Sequence, residues 1–479
     1  YVQALIGRMC LDAAGYQTRR GDIKRVNGKG ESMTFENKGK ENNGATYGRR
    51  SDWQNLYTIA KKYYEALLAD PGNAQFHLTD PRGASDKSGR TFNNPYQYFF
   101  EQMHMDDAIY ADESIYEYPM QQGGGNDGRP YSFGRPSSGG SKAAYPCKSY
   151  GQGRINPAYF YGIFDPNDMR RDVSITMTGS NGKGVEKLIP FVPNSKAEGG
   201  GLTLNKWDEN RQANPWVAAQ RKSGINGPYM RMSEVYLGYA EVCAALGDVV
   251  TGKQYLKTVR ERSFPQGLAN TDAFIASFGN DLVRAIIEER GFEYAGEGDR
   301  RWTLIRSGYL PEDIKRIKDM TKAMMDGLAT KGYYEFENGN IISAYIWTKL
   351  VDAKTIYGHR LTAQCPTDKV NDPVLYPGWR GQKDNWEEMG LNYGSSTPAT
   401  NLAIKGLFEI VSEEEAASLE SQGYAKVNWG IDLVDYRDEY DKYLFWDYDY
   451  VSAPIYLWPF TPNVMAAGGF TNGYGFKQE

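Results

Sequence analysis

The chain has 479 residues, with 55 lysines and arginines interleaved among 60 aspartates and glutamates for a formal net charge of −5, so the basic stripe that a nucleic-acid partner requires is absent. No run of eighteen apolar residues occurs, which excludes a spanning helix, and the four cysteines (Cys10, Cys147, Cys243, Cys365) and three histidines (His77, His104, His359) never approach the spacing of a zinc site. Fifty-three glycines, 36 tyrosines and a mean hydropathy of −0.63 point to long polar loops around a helical core, with aromatic surface to spare for stacking.

Residues 1–15 carry a helical period through Val2, Leu5, Ile6, Met9 and Ala13, stopped at Gly15, with Cys10 inside it as a small core residue. A glycine-, asparagine- and lysine-rich excursion over 20–50 follows. The next helix, 52–69, puts Leu56, Ile59, Ala60, Tyr63 and Leu67 on one face and ends at Asp70-Pro71. Its tail, YYEALLADP, is similar to the second helix of a tetratricopeptide repeat. A second pair at 229–246 and 250–262, joined by Gly247-Asp248, follows the same logic and holds Cys243. A helix pair cannot bury its apolar face alone and must stack on neighbours.

Residues 72–228, between the pairs, read as mostly non-helical. Phe99-Phe100 and Ile115–Tyr118 are short strand candidates. The stretch 121–153 reads as a glycine-dense loop carrying Tyr131, Phe133, Tyr145 and Tyr150. Glycine and serine surround these rings and nothing nearby in sequence offers a core, which makes them candidate ligand-stacking residues. Asp165-Pro166 and Asp168 then start a turn, and Arg170-Arg171 lead into a strand. Gly123-x-Gly125-x-x-Gly128 matches a dinucleotide fingerprint on paper, but Arg129-Pro130 follows instead of a helix, and GSNGKG (179–184) lacks the hydroxyl and spacing of a P-loop. Neither a G-x-S-x-G elbow nor an HExxH motif occurs.

The densest stretch is 281–308. A helical apolar stripe through Leu282, Ile286, Phe292 and Ala295 runs beside Glu288, Glu289, Glu293 and Glu297, which are expected to pair with the nearby Arg284, Arg290, Arg300 and Arg301. Such pairing keeps the carboxyls ionised and makes them structural rather than catalytic. Gly296 and Gly298 loosen the backbone before a short element whose Trp302 and Leu304 or Ile305 are expected to turn inward. Trp458, Tyr236 and Tyr239 also read as core. An amphipathic helix spans 312–328, and Asn338-Gly339 between two β-prone runs signals a hairpin. The loop 366–400 carries Tyr376, Trp379, Trp386 and Tyr393, either as stacking surface or as loop anchors. An aromatic tail spans 424–476.

Three stretches carry a family resemblance. YMRMSEVYLGYAEVCAALGD (229–248), EERGFEYAGEGDRRWTLIR (288–306) and YLWPFTP (456–462), in that order, resemble the signature segments of the SusD/RagB family of nutrient-capturing outer-membrane lipoproteins of Bacteroidota. FTNGYGF (470–476) departs from the glutamine-asparagine-proline-glycine-tyrosine run of that family. The resemblance implies a mainly α fold with tetratricopeptide-like helix pairs, loop-rich excursions and small β hairpins. One SusD-like domain would span 1–479, with its helical scaffold at 1–71 and 229–330 and its ligand-facing part at 72–228 and 331–479. It implies a non-enzymatic protein that takes up oligosaccharide, or peptide in the RagB branch, and passes it to a SusC-like TonB-dependent transporter, with no cofactor and no metal. A glycan-active enzyme is a third reading, requiring two carboxylates facing across a cleft. Tyr1 begins in the middle of a helix pattern, so the resemblance also implies a preceding segment bearing a signal peptide and a lipidated cysteine, for which Cys10 is not a candidate.

Overall fold

A computed structural model of the protein describes residues 1–81, 94–104, 110–121, 123–124, 128–137, 148–180, 186–193, 200–208, 221–222, 224–352, 400–444 and 451–476. Helices α1 (Val2–Ala14) and α2 (Trp53–Ala69) flank a three-stranded antiparallel sheet of β1 (Gln17–Arg20), β2 (Phe35–Asn37) and β3 (Ala45–Arg50), with β3 central. This sheet occupies the excursion that its glycines and lysines disguise as loop; Ala45 and Tyr47 alternate inward along β3, and Thr18 sits opposite Tyr47.

The middle of the chain is a series of small elements. Helix α3 (Pro95–Met103), strand β4 (Ser114–Tyr118) and helix α4 (Gly128–Phe133) precede a π-helical turn at Tyr159–Ile163 and helix α5 (Arg170–Ser174). Short strands follow: β5 (Ile175–Thr176) pairs with β8 (Thr203–Leu204), β6 (Thr178–Ser180) with β7 (Glu186–Leu188), and β9 (Gly227–Arg231) returns to pair with β4. Phe99 and Phe100 are thus helical, not in a strand, because Tyr96, Phe99, Phe100 and Met103 bury at three- and four-residue steps. Arg170-Arg171 form a helical turn before their strand, and residues 229–231 belong to β9, so the next helix starts only at Met232.

Helices α6 (Met232–Ala245), α7 (Val249–Glu261), α8 (Thr271–Ala276), α9 (Leu282–Glu293), α10 (Asp299–Ser307) and α11 (Leu310–Lys331) complete the helical body. Asp248 and Asp281 cap α7 and α9 by accepting from the Thr251 and Arg284 amides. Every residue of α6 from Met232 to Cys243 except Tyr236 is buried, because α1 and α2 cover one side and α7 and α9 the other. Close approach depends on two glycines. A Cβ at Gly7 of α1 would lie 2.3 Å from the Tyr64 ring of α2, and one at Gly238 of α6 would lie 2.7 Å from the Tyr64 hydroxyl. Cys10 and Cys243 are buried, unpaired thiols of this core.

A second core gathers Phe160, Tyr161 and Phe164 of the π turn, Met324, Met325 and Leu328 of α11, and Trp429, whose Nε1 donates to the Tyr161 hydroxyl at 2.8 Å. The expected hairpin is β10 (Tyr333–Glu335) against β11 (Ile341–Ser343), with Gly339 at φ +82° in its turn. Asn338 donates from that turn to the carbonyls of Tyr161 and Phe164, both at 2.8 Å, tying the hairpin to the π turn. Strand β12 (Tyr345–Asp352) lies between β13 (Thr400–Lys405) and β14 (Ala425–Asn428). Short helices at Glu413–Ser421, Gly430–Asp435, Arg437–Leu444 and Pro462–Gly468 end the chain. The fold is mainly α, with stacked helix pairs and small hairpins, as expected. No helix among the described residues is long and apolar enough to cross a membrane.

Two tryptophans are not where apolar periodicity puts them. Leu304 and Ile305 form the inward side of α10, which leaves Trp302 55% exposed, and Trp458 is 90% exposed. Tyr239 is buried as expected and Tyr236 half-buried.

Candidate ligand-binding cleft

The site is held up by buried charge. Arg170 contacts Asp168 at 2.7 Å, Glu289 at 2.7 Å and Glu293 at 3.1 Å. Arg231, just before α6, contacts Glu293 at 2.5 Å, Glu297 at 2.9 Å and Glu113 at 3.0 Å. Arg262 reaches Glu293 at 2.6 Å, Arg260 reaches Glu289 at 3.0 Å and Lys206 reaches Glu297 at 2.6 Å. The carboxylates of 288–297 therefore pair chiefly with cations far away in sequence, correcting the expectation of a self-contained block. Local pairs do exist: Arg290 with Asp299 at 2.5 Å and Arg300 with Glu288 at 2.7 Å. Among the described residues Arg301 has no carboxylate partner; it is exposed, and its Nη2 donates to the Tyr456 carbonyl at 2.7 Å.

The titration of these groups follows from the web. Burial alone would push the Glu293 carboxyl up, but Arg262, Arg231 and Arg170 outweigh it and hold it well below the usual carboxylate range. Arg290, with help from Thr303, does the same for Asp299 against its burial. Lys206 goes the other way: burial lowers it to about 8 although Glu297 opposes.

Beside this web lies an open cleft of about 1040 Å³. Strands β4 and β9 contribute Tyr118 and Tyr229, α4 contributes Arg129 and Phe133, α1 contributes Arg8 and Asp12, and α10 contributes Arg301 and Trp302. Leu204 and Trp207 line it between them. Two glycines allow its walls to approach Leu204. A Cβ at Gly296 (φ +81°) would lie 2.4 Å from Leu204 Cδ2, and one at Gly153 would lie 2.7 Å from Leu204 Cδ1. Three rings stand at the opening, Tyr118 at 47%, Phe133 at 45% and Trp302 at 55% exposure. Tyr229 is half-buried under Arg8, whose guanidinium carbon lies 4.8 Å from the ring centroid and whose Nε donates to Glu234 at 2.5 Å. Tyr116 and Tyr118, at i and i+2 on β4, meet Tyr229 edge-on at 5.6 and 5.2 Å. Rings of this kind stack on C–H faces, and the surrounding guanidinium groups donate to hydroxyl or carboxylate oxygens.

Of the candidate stacking residues, Phe133 stands on the cleft rim. Tyr131 and Tyr150 do not line it. Their rings meet edge-to-face at 5.0 Å, Arg221 lies 4.1 Å from the Tyr131 centroid, and both residues are half-buried. The reason is local: Tyr150 N–H donates to Tyr131 O and Gln152 N–H to Ser132 O, which folds the loop against α4. That helix does start at Gly128, contrary to the expectation of no helix there, but it is only six residues long. Tyr145, Tyr376, Trp379, Trp386 and Tyr393 lie outside the described residues, as do Cys147, Cys365 and His359.

The sequence reading missed Tyr118, Tyr229, Trp207 and Trp302 as cleft residues. The i, i+2 tyrosines of a predicted strand were the available signal for the first. Among the described residues no group of three or more His, Cys, Asp or Glu side chains could hold a metal ion. His104 is buried and structural; its Nδ1 donates to the Phe100 carbonyl at 2.6 Å and its Nε2 accepts from the Asp208 amide at 2.9 Å.

The profile of the SusD family matches residues 74–459. Among solved structures the chain is similar to a SusD homolog from Bacteroides thetaiotaomicron, at 16% identity and a TM-score of 0.42, with 66% of this chain and 54% of that one covered. It is also similar to B. fragilis NanU (16% identity, TM-score 0.37, 64% and 56% covered) and to surface glycan-binding protein A from Bacteroides uniformis (20% identity, TM-score 0.35, 54% and 47% covered). The chain thus spans about half the length of these structures. No curated protein matches it.

Proposed function

The chain belongs to the SusD family, and from that premise we propose that it is a non-enzymatic binding protein that captures oligosaccharide in this cleft. The observation that carries the reading is the cleft itself, about 1040 Å³ with three half-exposed rings at its opening and polar donors along its walls. In this reading the helical scaffold at 1–71 and 229–330 meets the ligand-facing part at the cleft. Captured glycan passes to a SusC-like TonB-dependent transporter, and a lipid anchor outside this sequence holds the protein at the outer-membrane surface.

Binding without turnover agrees with the state of the cleft carboxylates. Of the cleft's four carboxylates, Glu234 is held by Arg8, Glu297 by Lys206 and Arg231, and Asp299 by Arg290; Asp12, whose carboxyl burial pushes up, lies 3.7 Å from Arg306, so the cleft offers no pair of unengaged carboxylates of the kind that glycoside cleavage requires. Binding of the purified protein to a glycan array and to a peptide library tests the proposal. Glycans retained and left chemically intact support it. Retention of peptides alone, or release of shortened glycans, overturns it.

A further inference from the structure

We propose that the cleft prefers an acidic sugar, a ring bearing a carboxylate or sulfate that stacks on Trp302 while Arg301 takes its charge. This rests on the reading of the cleft as a glycan site and adds the class of glycan. In a chain of net charge −5, the cleft lining holds twice as many arginines as carboxylates. Several of those arginines are neutralised within or behind the wall: Arg306 by Glu241 at 2.5 Å, Arg300 by Glu288, Arg290 by Asp299 and Arg8 by Glu234.

Arg301 stands apart from these four. Among the described residues its acceptor is one carbonyl, that of Tyr456, which uses a single donor of the five on its guanidinium. The guanidinium carbon lies 5.6 Å from the Trp302 centroid, and the Tyr456 ring meets Trp302 edge-on at 6.4 Å. One residue thus orients both partners: the Tyr456 carbonyl holds the cation and its ring steadies the indole. Helix α10 begins just before them at Gly298 (φ +89°), and the acidic Asp299 of its first turn is taken by Arg290. A neutral sugar stacked on Trp302 leaves the Arg301 donors in water. An acidic one takes a forked, charge-assisted pair from them.

Calorimetry on the whole chain tests this with matched pairs: oligogalacturonate, sialyllactose and a chondroitin sulfate oligosaccharide, each against its carboxyl-reduced or desulfated counterpart. At least one acidic member is expected to bind about tenfold more tightly than its neutral partner, with an advantage that shrinks as salt rises. Arg301→Gln is expected to erase that advantage without moving the melting temperature, Arg301→Lys to keep part of it, and Trp302→Ala to weaken both members. Neutral partners binding as tightly as the acidic ones overturn the acidic preference, an advantage that survives Arg301→Gln overturns the assignment of the charge to Arg301, and either result leaves the glycan reading standing. Failure of every acidic member to bind while neutral glycans bind also overturns it. Failure of all glycans overturns both.

Discussion

Glu293 and Arg301 carry charge for different purposes. Glu293 is fully buried among Arg170, Arg231 and Arg262, and removing its charge leaves those guanidinium groups short of a counter-ion. Glu293→Gln should cost about 3–5 kcal/mol, read as a large drop in melting temperature. Arg301→Ala should stay within about 0.5 kcal/mol of the parent, because its one hydrogen bond is at the surface. A second residue gives a pH signature. Burial would raise the Glu288 carboxyl, but Arg300, Arg316 and Arg284 outweigh it and hold it at about 2, against 4.5 in the unfolded chain. The unfolded chain therefore takes up this proton first as pH falls. The stability contributed, about 3 kcal/mol, is complete above pH 4.5 and is lost between 4.5 and 2. Urea unfolding across that window should show a slope that Glu288→Gln flattens. Such partners could not be read from the sequence, since spacing identifies only neighbours one turn away, whereas Glu293 meets Arg170 at the start of α5, Arg231 at the end of β9 and Arg262 just after α7.

Helix α6 owes its central place to small residues facing one large ring. Alanine ordinarily favours a helix over glycine by about 1 kcal/mol, yet the Cβ of Gly7→Ala would meet the Tyr64 ring at 2.3 Å. Overpacking of this kind costs about 1–3 kcal/mol, so Gly7→Ala should lower stability in thermal melts. Gly296→Ala should be destabilising as well, from its φ of +81° and the 2.4 Å approach to Leu204, and should also narrow the cleft. The helix pairs were legible in the sequence because their 3.6-residue period survives local composition, and the Asn338-Gly339 hairpin because its turn chemistry is specific. The sheet at 17–50 was not, its strands being short and polar. Nor was the outward turn of Trp302, because which side of α10 faces the core is decided by α9 and α11, not by α10 itself. Phe133, singled out by composition, lines the cleft, while Tyr131 and Tyr150, singled out on the same ground, meet each other edge-to-face outside it.

At the scale of the molecule, the cleft exists where α1, β9 and α10 meet β4, α4 and the segments at 153–155 and 204–207. The ionic web joins the same parts of the chain: Arg170 and Lys206 bind Glu289, Glu293 and Glu297. Rigid support and open rings are thus neighbours, an arrangement suited to stacking with little reorganisation. The most direct test sets the cleft rings against the packed loop rings, using calorimetry with the glycan that the parent protein binds most tightly. Phe133→Ala with Trp302→Ala should weaken binding by about tenfold or more, at about 0.5–1.5 kcal/mol per ring, with the melting temperature nearly unchanged, while Tyr131→Ala with Tyr150→Ala should leave affinity intact. Full affinity in the first double variant and loss in the second would contradict the cleft as the binding site.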